Sequence, residues 1–257
     1  AVLSHGIQVI QFNLSSAGLP SLPDSVPQQI GTEIANAAAK RHIRIAALSA
    51  TYNMIDPNVE ERAKGLRRLL NLIPFARQMS IPMMTLCTGT RDPQNMWRKH
   101  RDNSTKEAWS DLLAAMERAA LVAQENNVLL GIEPELSNVI DSAPKARRLL
   151  DELQSPAVRI VMDGSNLLSI AQIAEMKSIL ESAFDLLGED IRLVHAKDLM
   201  PGGAESHGAA GTGVLDYDLY LELIQRVGYK RPLILHTLHE SEVDGSVAFL
   251  RSKLNKS

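Results

Sequence analysis

The sequence predicts a single domain folded as a parallel α/β barrel of the TIM (β/α)8 type. Short apolar segments with the character of buried strands alternate seven times with segments of helical character. Such alternation implies right-handed βαβ units and a parallel sheet. The chain has 257 residues, which is a usual size for one such barrel. No low-complexity segment or Pro/Ser-rich linker divides residues 1–257, so one domain is the simplest organisation.

The strands are predicted from runs rich in Val, Ile and Leu that end in polar residues or turn signals. The segment from Val128 is the clearest, because apolar residues fill both of its faces before it stops at Glu133. The predicted strands are residues 7–13, 43–49, 82–87, 128–133, 159–163, 191–195 and 233–236.

The helices are predicted from apolar residues at helical spacing and from capping signals. Residues 105–126 are the clearest case, since Leu112, Met116 and Ala119 share one face. Ser142 is placed as a cap with Pro144 in the first turn, and Pro74 is expected to kink or interrupt its helix. The predicted helices are residues 28–41, 59–79, 105–126, the segment after Ser142, 167–187, 217–227 and 243–254.

A barrel of this type needs eight strands, and only seven are recognisable. Residues 1–6 have the character of a helix end closed by Gly6, and the chain starts without methionine. We therefore expect the first strand to lie upstream of residue 1 or to have been removed. An open doubly wound sheet is the alternative, but no Gly-rich phosphate turn follows the first recognisable strand.

The composition indicates a cytoplasmic protein without a nucleic-acid or membrane surface. The formal net charge is −3, and no basic stretch stands out. A single cysteine allows no internal disulfide, which suits a reducing compartment. The sequence shows no signal peptide and no apolar run long enough to span a bilayer.

Four strands end in residues that commonly bind metal ions: Glu133, Asp163, His195 and His236. In a parallel barrel the carboxyl ends of the strands surround one mouth. Two carboxylates and two imidazoles there would suit one divalent ion, and Mn, Mg, Zn and Co remain open. Each residue taken alone could equally be a strand-end cap or part of a buried polar pair.

Further candidates follow the same strand ends. Lys197 could bind an oxyanion or phosphate, or form a salt bridge with Asp198 or Glu135. Asn166 could bind a substrate hydroxyl or cap a helix. The loop of residues 88–104 carries Arg91, Trp97 and His100, and it reads as a lid over a small polar ligand or as a plain solvated loop. Cys87 is interpreted as a core residue, and the Gly-rich segment 201–213 as a flexible loop near the mouth.

Several motifs resemble the sugar phosphate isomerase/epimerase group of xylose-isomerase-like TIM barrels. They are IEPE at 132–135, VMDGSN at 161–166, LVHAKD at 193–198, the long segment at 211–229, TYNM at 51–54 and LCTGTRDPQNMW at 86–97. The resemblance implies one divalent metal ion bound by Glu133, Asp163 and His195. It also implies a sugar or sugar phosphate as substrate, and a homo-oligomer is a further expectation.

The chain departs from the family pattern at the last strand. The family usually has a glutamate where this chain has His236, and often a histidine near the position of Asn166. His239 or Glu240 could replace His236 as the fourth ligand. With His236 as the fourth ligand, Glu240 or His239 would have to supply the second acid–base group beside Glu133.

The resemblance therefore implies a metal-dependent sugar isomerase or epimerase that works by proton abstraction through an enediolate. A dehydratase on the same barrel and a sugar-binding barrel without catalysis are alternatives. A multi-zinc phosphodiesterase resembling AP endonucleases is disfavoured, because the seven histidines are mostly scattered in loops.

Overall fold

A computed structural model of the chain describes residues 1–202 and 207–255. Its α-helices are α1 (Gln28–Lys40), α2 (Val59–Gln78), α3 (Lys106–Asn126), α4 (Ala143–Leu153), α5 (Met176–Leu187), α6 (Tyr217–Arg226) and α7 (Val243–Leu254). Its strands are β1 (Val9–Phe12), β2 (Arg44–Ser49), β3 (Met83–Leu86), β4 (Leu129–Ile132), β5 (Val158–Asp163), β6 (Ile191–Leu199), β7 (His207–Ala209) and β8 (Leu233–Leu235).

The strands form one curved, mostly parallel sheet that nearly closes into a barrel. Strands β1 to β6 pair in order of sequence, each parallel to the next. Strand β8 pairs in parallel with β6 and lies beside β1. All seven predicted strands are thus confirmed as neighbours in a parallel barrel.

The register of the sheet explains why the polar strand ends meet. Asp163 pairs with His195, and His195 pairs with Ile234, two residues before His236. Side chains two residues apart on a strand point to the same face. Asp163 and His195 therefore stand directly above Val161 and Leu193, which belong to a small apolar cluster inside the barrel.

The larger core lies between the outer face of the sheet and the helices, and helix α3 shows how it forms. Thr105 caps the helix by accepting a hydrogen bond from the amide of Ala108, and Leu112, Met116 and Ala119 are fully buried. On the outer side, the indole of Trp109 donates to Glu152 at 2.8 Å. The guanidinium carbon of Arg148 lies 3.8 Å from the centre of the Trp109 ring.

Three segments differ from the sequence predictions. The predicted helix over 167–187 begins only at Met176, because 3-10 turns at Gly164–Leu167 and Ile170–Glu175 come first. Helix α2 runs through Pro74 without interruption. The predicted loop of residues 201–213 contains β7, which pairs antiparallel with the end of β6, while residues 203–206 of that loop lie outside the described part of the chain.

The amino-terminal segment agrees with its prediction. Val2–His5 forms a 3-10 turn that Gly6 closes with a left-handed φ of 70°. Among residues 1–202 and 207–255, no helix combines the length and apolar character needed to cross a membrane.

Candidate functional site

A polar cavity of about 330 Å³ opens at the carboxyl ends of the barrel strands. Hydroxyl groups, two carboxylates, imidazoles and one ammonium group line it, together with the indole of Trp97 at its rim. The lining side chains include Gln11, Ser49, Thr51, Thr85, Cys87, Trp97, Glu133, Glu135, Asn166, Lys197, His207, His236 and Thr237. Sugars carry many hydroxyl groups, and such a wall offers them many hydrogen-bonding partners.

Asp163, His195 and His236 converge beside this cavity, and one donor atom from each lies within 4.8 Å of the others. Asp163 and His195 are each 1% exposed. The rings of His195 and His236 stack with their centres 4.6 Å apart. Glu133, from the neighbouring strand end, places Oε1 3.2 Å from Nδ1 of His195. The four predicted strand-end residues therefore lie together.

Gln11, on β1, orients the imidazole of His195. Its Oε1 lies 2.9 Å from Nε2 of His195. When Nε2 carries the proton and donates it to Gln11, the lone pair of Nδ1 faces Glu133 and Asp163. A second partner that fixes the orientation of a histidine in this way is usual for metal ligands.

The donor atoms fit a divalent cation. Oδ2 of Asp163 is buried, and within residues 1–202 and 207–255 it has no hydrogen-bond partner. A buried polar atom without a partner is costly, so an ion at this position would satisfy it. Carboxylate oxygen and imidazole nitrogen are donors that Zn²⁺, Mn²⁺ and Co²⁺ accept. In residues 1–202 and 207–255 this is the single group of three or more such side chains.

Charges in the cluster compensate one another. Burial disfavours the ionised form of Glu133, but His195 and Lys197 outweigh it and lower its pKa to about 2. Burial likewise opposes the charge on His195, yet Glu133 and Asp163 raise its pKa. Burial and the neighbouring His195 lower the pKa of His236. A bound cation would take over the compensating positive charge, so binding would release a proton from His195.

Lys197, Asn166 and Glu133 form a hydrogen-bonded chain. Nζ of Lys197 donates to Oδ1 of Asn166, and Nδ2 of Asn166 donates to Oε1 of Glu133, each at 2.6 Å. Nζ of Lys197 also lies 3.4 Å from Oδ2 of Asp163. Lys197 and Asn166, two of the five predicted substrate-binding residues, therefore line the cavity and hold the Glu133 carboxylate in place.

Other predicted site residues lie elsewhere. Arg91 forms an ion pair with Asp111 and donates to the carbonyl of Ile55, so it fastens the 88–104 loop to α3. His100 accepts a hydrogen bond from the amide of Asp102 and caps a short 3-10 turn. Glu240 is exposed, 3.7 Å from the ring of His5. None of the three lines the cavity.

Strand β7 contributes His207 to the lining of the cavity. The carboxylate of Asp198 holds this hairpin, because it accepts hydrogen bonds from the amides of Leu199, Gly211 and Leu215. Sequence reasoning missed both His207 and Gln11. Gln11 had one signal, a polar side chain near the end of an apolar strand, whereas the glycines around His207 favoured a loop.

The chain is similar to known proteins in sequence and in fold. A curated ketose 3-epimerase from Arthrobacter globiformis is 27% identical over 150 residues, which cover 57% of this chain and 47% of that protein. The match thus spans about half the length of that relative.

Solved structures share the fold at low identity. D-psicose 3-epimerase from Clostridium cellulolyticum H10, solved with D-tagatose, superposes with a TM-score of 0.70 and 14% identity, covering 98% of this chain and 91% of that chain. The IOLI protein, solved with a bound zinc atom, has a TM-score of 0.72 and 13% identity, with coverage of 98% and 88%. The family model described as xylose isomerase-like TIM barrel matches residues 1–253. The chain therefore belongs to the xylose isomerase-like TIM-barrel family.

Proposed function

We propose that the protein is a divalent-metal-dependent sugar isomerase or epimerase that removes a proton from a carbon next to a carbonyl group. The observation that carries this proposal is the position of Glu133. Its carboxylate faces a hydroxyl-lined cavity and lies beside a cluster of metal-type donors. The kinship with a ketose 3-epimerase supports the same class of reaction.

Glu133 is the proposed base. Its lowered pKa keeps it ionised at neutral pH, which is the form that accepts a proton. Asn166 holds one carboxylate oxygen by a hydrogen bond, so the carboxylate is already oriented when a sugar arrives. Hydroxyl groups of Ser49, Thr51 and Thr85 are available for the sugar hydroxyls.

Asp163, His195 and His236 would hold the metal ion, with Glu133 as the fourth candidate ligand. When bound, a divalent ion supplies Lewis-acid polarisation of the sugar carbonyl, which makes the adjacent carbon more acidic. The IOLI protein, which shares this fold at 13% identity, was solved with a bound zinc atom, and this supports a divalent ion in the proposed site.

The proposal is tested first by the metal content of the purified protein, before and after chelation. We expect about one divalent ion per chain, lost in His195→Ala. The loaded protein is then incubated with D-tagatose or D-psicose in deuterated water. We expect deuterium at the carbon next to the carbonyl, and a loss of uptake of about 10²-fold or more in Glu133→Gln.

Glu117→Gln is the matched control, because Glu117 is exposed on α3 and should leave uptake unchanged. Metal binding without any deuterium uptake from a wider sugar panel would indicate a sugar-binding barrel without catalysis. Two or three zinc ions per chain would favour a phosphodiesterase. Protein that stays metal-free after Mn²⁺ and Zn²⁺ are added would contradict the proposal.

A further inference from the structure

Strand β7 holds His207 in a fixed position over the cavity. His207 pairs with Leu199 in the antiparallel ladder, and Gly208 pairs with Asp198. The carboxylate of Asp198, 1% exposed, binds three backbone amides around the hairpin. The ladder and the carboxylate together fix the backbone of β7, so the His207 imidazole is presented to the same cavity as Glu133 and Lys197.

Resting on the proposed function, we propose that His207 carries a proton between two neighbouring oxygens of the sugar while Glu133 carries a proton between the two carbons. This division of work makes the protein an isomerase that moves a carbonyl group between adjacent carbons. His207 would act from the start of β7, and Glu133 from the end of β4.

The other titratable side chains that line the cavity already have partners. Nζ of Lys197 is bound to Asn166 and lies near Asp163. Nδ1 of His236 lies 2.9 Å from the hydroxyl of Thr237, and the ring belongs to the metal-type cluster.

Glu135 and Cys87 also line the cavity, and each of them has a hydrogen-bond partner. Glu135 accepts a hydrogen bond from Ser137 at 3.1 Å. The thiol of Cys87 donates to the carbonyl of Tyr52, and burial raises its pKa far above the neutral range. The His207 ring interacts with the backbone of Asp198, but its buried Nδ1 makes no hydrogen bond within residues 1–202 and 207–255.

The surroundings of His207 also keep its imidazole neutral. Burial and the positive charge of Lys197 lower its pKa to about 4, although Asp163, Glu133 and the backbone of Asp198 act in the opposite direction. At neutral pH one ring nitrogen therefore carries a proton and the other has a lone pair. A neutral imidazole of this kind can take a hydroxyl proton and return it to a neighbouring oxygen.

Glu133 and His207 together move both protons of the reaction without any other reactant. Glu133 takes the proton from the carbon that bears the hydroxyl group and returns it to the former carbonyl carbon. His207 takes the proton from that hydroxyl oxygen and gives it to the former carbonyl oxygen. The C=O double bond moves by one carbon through an enediol, and both side chains end in the state in which they began.

The combination of Glu133 and His207 also favours isomerisation over epimerisation. Inversion at one carbon needs a second group that delivers a proton to the opposite face of that carbon. Glu240 and His239, the two predicted candidates for this group, do not line the cavity, and Glu240 is exposed. A base for carbon and a carrier for oxygen are sufficient when the carbonyl moves to the next carbon.

The test compares His207→Gln and His207→Asn with the wild type and with His42→Gln. Gln and Asn keep hydrogen-bonding groups near the positions of the two ring nitrogens but cannot carry a proton. His42 is exposed in the turn after α1, so its replacement is a matched loss of an imidazole outside the cavity. The metal-loaded proteins are given D-tagatose or D-psicose in deuterated water, and aldose formation and deuterium uptake are followed together.

For both His207 variants we expect kcat for aldose formation to fall by about 10²-fold, with KM changed by less than about threefold. Deuterium uptake at carbon, which depends on Glu133, should exceed aldose formation by about tenfold or more. The wild type and His42→Gln should show similar rates for the two processes.

Equal losses of uptake and aldose formation in the His207 variants would indicate a structural role and overturn the proposal. Kinetics like those of His42→Gln, or an epimeric ketose as the only wild-type product, would also overturn it while leaving the role of Glu133 intact. A wild type without deuterium uptake would overturn both the proposed function and the role of His207.

Discussion

At the scale of single residues, Lys197 decides the charge balance of the site. It is 5% exposed and lies among Asp163, Glu133 and Glu135, which raise its pKa against the effect of burial. Lys197 in turn helps to lower the pKa of Glu133. Because the pKa of Glu133 is lowered in the folded protein, its ionised carboxylate stabilises the fold above the pKa that it has in the unfolded chain. That contribution is lost as the pH falls toward the folded pKa.

We therefore expect Lys197→Met to lower the free energy of unfolding of the metal-free protein by about 3 kcal/mol at neutral pH. The reason is that the buried carboxylate of Asp163 and the partly buried carboxylate of Glu133 lose the cation that compensates them. Urea denaturation with a circular-dichroism readout measures the change.

Lys177→Met is the control, because Lys177 is exposed and forms a surface pair with Glu181. Such pairs contribute about 0–1 kcal/mol. Equal effects of the two substitutions would show that Lys197 does not stabilise the cluster. A saturating divalent ion should restore much of the loss in Lys197→Met, since the ion supplies the missing positive charge.

The sequence predicted the strand-end residues because each stands directly after an apolar run, where position along the chain fixes position in the barrel. Gln11 and His207 could not be predicted in the same way. Gln11 reaches His195 from a strand 184 residues away in sequence. His207 depends on a short strand whose formation rests on the buried carboxylate of Asp198.

At the scale of elements, tertiary contacts account for the differences from prediction. The predicted end of β6 was residue 195, but β7 pairs with residues 197–199 and lengthens the strand. The backbone amide and hydroxyl of Ser169 both donate hydrogen bonds to Oε1 of Gln172, which favours a 3-10 turn at Ile170–Glu175 where a helix was predicted. Helix boundaries of this kind depend on side-chain contacts that periodicity does not describe.

The conformation of the loop after β3 depends on Gly89. Gly89 has a φ of 78°, and its amide donates to Oδ1 of Asn138 at 2.5 Å. A Cβ atom here would lie 2.8 Å from the amide nitrogen of Met54 and would also clash with the Asn53 side chain. Gly18 has a similar φ of 76°, but a Cβ atom there would meet open space.

The two glycines therefore form a matched pair. We expect Gly18→Ala to cost about 1 kcal/mol, from the left-handed backbone alone. Gly89→Ala should cost about 3 kcal/mol or more, because the steric clash is added. Thermal or urea unfolding of both variants measures the difference, and equal costs would mean that the loop relaxes around the new methyl group.

At the scale of the whole molecule, the candidate site belongs to one half of the barrel. Glu133, Asp163, His195 and His236 come from β4, β5, β6 and the end of β8, while β1 supplies the supporting Gln11. The barrel order was predictable because successive parallel strands are usually neighbours. The approach of β1 to β8 was not, since no local pattern describes a contact between the two ends of the sheet.

The different surroundings of the two tryptophans give the protein a built-in optical signal. Trp97 is 47% exposed at the rim of the cavity, whereas Trp109 is held between Arg148 and Glu152 on the outer side of the barrel. A sugar that enters the cavity should change the emission of Trp97 and leave that of Trp109 constant. Trp109→Phe should therefore keep the full ligand-dependent change over a lower background, and Trp97→Phe should abolish it. Titration of intrinsic fluorescence would then rank candidate sugars by affinity independently of turnover.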